Sequence, residues 1–102
     1  MIERQVILPL SVRDYLGEIA DYIVGLNSPE HAVNYVHELV AEVNRLSYLA
    51  DTLPVSTSSF VLQYHAHAKR FNVKQGVWCV IFHVEEDFVI IDRILPSKLV
   101  TS

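Results

Sequence analysis

An α+β domain is the fold this sequence predicts: a helical hairpin that precedes, and packs on, a C-terminal antiparallel sheet. Three observations carry the expectation. Apolar residues recur at alternating spacings of four and three from Ala32 to Ala50, residues 77–84 and 88–95 are apolar at consecutive positions, and a turn-rich stretch at 51–59 lies between the two patterns. The first is a helix seam, the second a pair of strands buried on both faces.

Residues 4–10 read as a short N-terminal strand, in which Pro9 cannot donate to a ladder and so marks an end or an edge. Ser11 is the expected N-cap of a first helix, with Val12, Leu16, Ile19 and Ile23 on one stripe and Asp14, Glu18 and Asp21 off it. Gly25 and Asn27 end that helix. Ser28-Pro29-Glu30 opens a second one, because serine caps and a proline in the first turn gives up an amide hydrogen that has no partner there. Its stripe of Ala32, Val36, Leu39, Val43, Leu46 and Ala50 suits lengthwise packing, and so short a connection folds it back antiparallel on the first helix.

Beyond the 51–59 loop, Phe60 to Tyr64 and Lys69 to Lys74 are expected to be strands, and Gln75-Gly76 turns the chain into a strand over 77–84. Glu85-Glu86-Asp87 turns it again, and Phe88 to Leu95 forms the last strand, stopped by Pro96. The strands 77–84 and 88–95 should be central, with the helices on one side and a second cover, such as a partner, on the other.

The chain of 102 residues, 51% apolar, has the size and content of one domain, 1–102. Its apolar runs fall far short of the roughly 20 residues of a membrane-spanning helix, and no charged-then-apolar leader is visible at the amino terminus, so a soluble cytoplasmic protein is expected. The lone Cys79 excludes an internal disulfide and reads as space-filling. A net charge of −4 argues against indiscriminate nucleic-acid binding. The charge is uneven: residues 1–52 carry eight acidic and three basic side chains, residues 53–102 four acidic and five basic, so any anion-facing surface belongs to the second half.

The order strand, helical hairpin, antiparallel strands is joined to specific wording: Leu8-Pro9-Leu10 leading into 14–23, Ser28-Pro29-Glu30-His31-Ala32, then Leu46, Leu49 and Pro54, Lys69-Arg70-Phe71, the aromatic strand Trp78 to Val84, and Ile90 to Leu95. Over nearly its whole length the sequence resembles the RelE/ParE superfamily of toxins from type II toxin–antitoxin pairs. The resemblance implies a toxin that stops growth, stabilises plasmids in some settings, needs no cofactor or metal, and is neutralised by a cognate antitoxin. Two actions stay open, so whether the chain is an enzyme is not decided. A ParE-like toxin inhibits a target, typically DNA gyrase, by binding; a RelE-like toxin cuts messenger RNA on the ribosome. A diverged, non-toxic antitoxin-binding module is a third reading. The chain departs from the family where Trp78-Cys79 stands in place of the common Tyr-Arg, and Pro96 in place of a basic or His residue, which leaves the usual anion-handling set incomplete and favours the ParE-like reading. Purified alone, such a chain is expected to aggregate or to dimerise.

The candidate binding residues are Lys69, Arg70, Lys74, Arg93 and Lys98, expected to meet on one face or edge of the sheet; Lys69, Arg70 and Arg93 are the candidates for catalysis, with Arg70 and Arg93 foremost because each interrupts an apolar strand. His65, His67 and His83 are the remaining acid–base groups. His83 reads as a packed strand residue, and His65 and His67, placed on one strand face, lack the further ligands that a metal would need. Trp78, Phe82 and Phe88 read as core in preference to base-stacking platforms.

Overall fold

The computed structural model describes residues 3–100. Strand β1 (Gln5–Ile7) leads into helix α1 (Leu10–Leu26), which a two-residue turn joins to helix α2 (Pro29–Asn44). Short helices α3 (Leu46–Leu49) and α4 (Ser59–Leu62) flank a 3-10 turn at Ala50–Thr52 and a loop. Strands β2 (Lys69–Val73), β3 (Trp78–Glu85) and β4 (Phe88–Pro96) complete the chain with a terminal 3-10 turn at Ser97–Leu99. No helix among the described residues is long and apolar enough to cross a membrane.

Helix α1 starts earlier than expected. Pro9, not Ser11, is its N-cap, with φ −60° and ψ 162°, and its carbonyl accepts from the amides of Val12 and Arg13 at 3.0 Å each. The proline ring sets the entry angle, and Ser11 falls inside the first turn. At the second helix the Ser28 hydroxyl accepts from the His31 amide at 3.2 Å, with Pro29 in the first turn. Along the α2 seam Leu39, Val43 and Leu46 are completely buried and Val36 partly so, but the helix itself breaks at Arg45. There the amide donates to Glu42, three residues back, and the spiral tightens before α3.

The sheet order is β1-β4-β3-β2, so β3 and β4 are central, as their apolar runs require. The three C-terminal strands pair antiparallel, and β1 adds in parallel to the outer side of β4. Between β3 and β4 the register slips: Ile81 faces Arg93 and Phe82 faces Ile91, which makes Asp92 the extra residue of a bulge.

The helices and one sheet face enclose the main core, where Val12, Leu16 and Ile19 of α1 and Leu39 and Val43 of α2 meet Val73, Val80, Phe82, Val89, Ile91 and Ile94. The other face carries a second, smaller core. Cys79, Ile81 and Leu95 lie beneath Val61 and Ala68, so the chain's own 58–68 segment supplies the second cover there. The expected strand at Phe60 to Tyr64 is therefore a helical turn. Ser58 caps it through its hydroxyl, 3.4 Å from the Val61 amide, and the turn drives Val61 into the sheet.

Candidate interaction groove and basic sheet face

A groove follows from how β1 ends. Its parallel pairing with β4 covers only Phe88, Val89 and Ile90, after which Pro9 turns the chain into α1. From Asp92 onward no strand of the described residues lies on that side of β4. Helix α1 lines the space beside this part of β4 with Ser11, Tyr15, Glu18 and Tyr22, spaced four, three and four apart and so along one face.

Two hollows result, joined through Tyr15 and Glu18. The one toward the end of β4 has a volume of about 590 Å³, with walls of Tyr15, Ile19, Tyr22, Val77, Trp78 and Pro96 and with Glu18 and Lys98 as its charges. The one toward the start of α1, about 500 Å³, gathers more charge, with Asp14, Glu18, Asp92, Arg93 and Tyr64 beside Val12 and Ile94. Tyr22 and Val77 stand 66% and 53% exposed, a large apolar presence for surface positions.

The groove floor is fixed from behind. Trp78 donates its indole N–H to the Tyr35 hydroxyl at 2.9 Å and meets the Tyr15 ring edge-on, with centroids 6.1 Å apart. Burial pushes the Tyr15 phenol upward; Arg93 pulls it back and Glu18 adds to the rise. The Ser97 hydroxyl, also in the wall, has no hydrogen-bond partner among the described residues.

The five basic candidates do not form one patch. Lys69 faces the helices, where its ammonium donates to the Ala50 carbonyl at 2.8 Å. Lys74 also turns to the hairpin: its ammonium donates to Glu38 at 2.8 Å and lies 4.5 Å above the Tyr35 ring, while its amide donates to the Glu42 carboxylate. Arg70 and Arg93 share one row of the sheet, on either side of Ile81 and on the face away from the main core, with Arg93 also at the rim of the second hollow beside α1. Lys98 belongs to the groove.

His65 and His67 lie in the turn after α4, not on a strand. The His65 ring stacks on that of His83, with centroids 3.7 Å apart and planes 1° from parallel. His83 is 6% exposed and hydrogen-bonds through Nδ1 to Asp92 at 2.8 Å and through Nε2 to Glu85 at 3.3 Å. It is thus a packed strand residue, as read, but one end of a polar cluster that the sequence did not disclose. Among the described residues no three metal-ligating side chains are grouped to hold an ion. Burial raises the Cys79 thiol, an effect that Arg70 partly offsets, and that is the opposite of activation as a nucleophile.

No family model matches the sequence, and no curated protein matches it. A solved structure does: a chain from "Chromosomal ParDE TA system from P. aeruginosa" aligns over 94% of this chain and 96% of its own, with a TM-score of 0.71 and 21% sequence identity. Hairpin, mixed sheet and connections therefore follow the fold of a chain from a ParDE toxin–antitoxin system.

Proposed function

We propose that this chain is the toxin component of a type II toxin–antitoxin pair, ParE-like in action: it disables a cytoplasmic target, with DNA gyrase the first to test, by binding it, and a cognate antitoxin neutralises it. The observation that carries the reading is the fold shared end to end with a chain of a ParDE system. The site supports binding over chemistry. Lys69 is tied to the 3-10 turn at Ala50 and Lys74 to helix α2, which leaves only Arg70 and Arg93 among the basic residues of the sheet and weakens the RNA-cutting alternative, for which general acid–base groups must surround a phosphate.

The groove beside β4 is the proposed antitoxin seat. A vacant strand lane next to an apolar hollow suits an extended segment, which pairs its backbone with the edge and places a large apolar side chain against Trp78 and Tyr22. The test is co-expression with the protein encoded beside it, followed by co-purification. Unsubstituted chain should bring that protein down, and Tyr22→Asp together with Val77→Asp should release it without altering the circular dichroism, since both side chains are exposed. Undiminished binding by the double variant overturns the assignment of the groove.

A further inference from the structure

Strand β4 leaves backbone groups of its own unpaired. The Ser97 amide donates to the Val77 carbonyl at 2.9 Å, one step beyond the facing residues Trp78 and Pro96, so 77 and 97 are a hydrogen-bonded pair. Such pairs recur at every second position of an antiparallel ladder, which makes Cys79–Leu95 and Ile81–Arg93 bonded pairs too. Ile94 and Pro96 therefore turn their backbone groups away from β3, toward the side on which the pairing with β1 has ended at Ile90. Pro96 brings only a carbonyl there, and Ile94 brings both an amide and a carbonyl.

Among the described residues no loop amide and no side chain hydrogen-bonds to the Ile94 backbone. Ile94 is 1% exposed, so water does not supply the missing bonds. Folded proteins pair nearly all such buried groups, because an unmet amide or carbonyl gives up its hydration with nothing in return. An extended segment laid along β4 meets both at once.

The two hollows say what side chains such a segment carries. Residues level with one another on neighbouring strands point to the same face of the sheet. Ile94 points into the main core, so the residue beside it on an added strand points toward α1, where Asp14 and Glu18 line the smaller hollow. Asp92, also there, is taken by His83, and among the described residues neither Asp14 nor Glu18 is in an ion pair. Two free carboxylates against the one guanidinium of Arg93 leave room for a cation. Two positions along, the residue beside Pro96 points the same way, into the apolar hollow of Tyr15, Tyr22, Val77 and Trp78.

Resting on the groove as the antitoxin seat, we propose that the antitoxin completes the sheet with a short strand registered on Ile94, with an Arg or Lys beside Ile94 and a large apolar side chain beside Pro96. The two lie two positions apart whichever way the strand runs. The lane is short, bounded by the end of β1 at one side and by the return of Ser97 to Val77 at the other, so Ile94 is the one residue in it that pairs through both backbone groups.

Amide exchange, read residue by residue by NMR on the isotope-labelled chain, tests the strand, first for the chain alone and then for its complex with the protein encoded beside it. Alone, the Ile94 amide should exchange about tenfold faster than those of Arg93 and Leu95, which are bonded to β3; in the complex it should slow by about a hundredfold. Asp14→Asn with Glu18→Gln, both exposed, should weaken the complex roughly fivefold in low salt, and high salt should close the gap. Protection of Ile94 in the free chain equal to that of its neighbours, or unchanged exchange at Ile94 in a complex that Tyr22→Asp with Val77→Asp still breaks, would overturn the strand and leave the groove assigned. Undiminished affinity of the Asp14→Asn, Glu18→Gln chain would overturn the basic side chain beside Ile94. Absence of any complex would overturn the antitoxin seat itself, and this strand with it.

Discussion

Trp78 ties the sheet to the hairpin and floors the groove, and a double-mutant cycle can isolate its hydrogen bond. Trp78→Phe removes the indole N–H that donates to the Tyr35 hydroxyl at 2.9 Å but keeps a ring against Tyr15. Tyr35→Phe removes the acceptor and leaves the ring beneath the Lys74 ammonium at 4.5 Å. A neutral, partly buried hydrogen bond contributes about 1 kcal/mol net. Tyr35→Phe should therefore cost about 1 kcal/mol, and Trp78→Phe about 2 kcal/mol, because the smaller ring also gives up buried area. The double variant should cost about 1 kcal/mol less than the sum, since the bond can be lost only once. In thermal unfolding followed by far-ultraviolet circular dichroism, 1 kcal/mol is roughly 4–8 °C for a domain of this size. A coupling below about 0.3 kcal/mol, the ordinary scatter of independent sites, would refute the claim that this bond joins β3 to α2.

Glu86 occupies the first central position of the two-residue β3–β4 turn with φ +54°, a conformation that favours glycine; Glu86→Gly should raise stability by about 0.5–1 kcal/mol in urea unfolding. The Glu38–Lys74 pair sets a pH window. The hydrogen bond from Lys74 holds the Glu38 carboxyl below its usual range, so that contribution is present above ordinary carboxylate titration and lost as pH falls through the lowered value. The same bond raises Lys74, whose contribution is present below ordinary lysine titration and lost as pH rises through the raised value. Glu38→Gln should therefore lower the melting temperature slightly across neutral pH in low salt. High salt should erase the difference, as befits an exposed pair.

The hairpin was legible because its signals are local and repeated. Ser28-Pro29 fixes a start, and six apolar residues from Ala32 to Ala50 hold one stripe, so even the break at Arg45 leaves the burial pattern intact. Phe60 to Tyr64 misled because a run of four or five residues is too short for strand and helix periods to separate; the Ser58 cap and the burial of Val61 decide it. The scatter of the basic residues had a readable cause. Lys69 and Arg70 are consecutive in a strand, so they must point to opposite faces, and only Arg70 shares a side with Arg93. The histidine stack was not readable. It joins His65, in the turn after α4, to His83 of β3, and the bulge that brings Asp92 to His83 leaves no mark in the sequence.

Inducing the chain alone in a bacterium and reading plasmid topology tests the central claim most directly. The account predicts arrested growth with relaxed plasmid DNA and intact messenger RNA, reversed by co-expression of the antitoxin and weakened by Arg70→Ala with Arg93→Ala. Unimpaired growth, or arrest with cleaved transcripts and normal supercoiling, would contradict it.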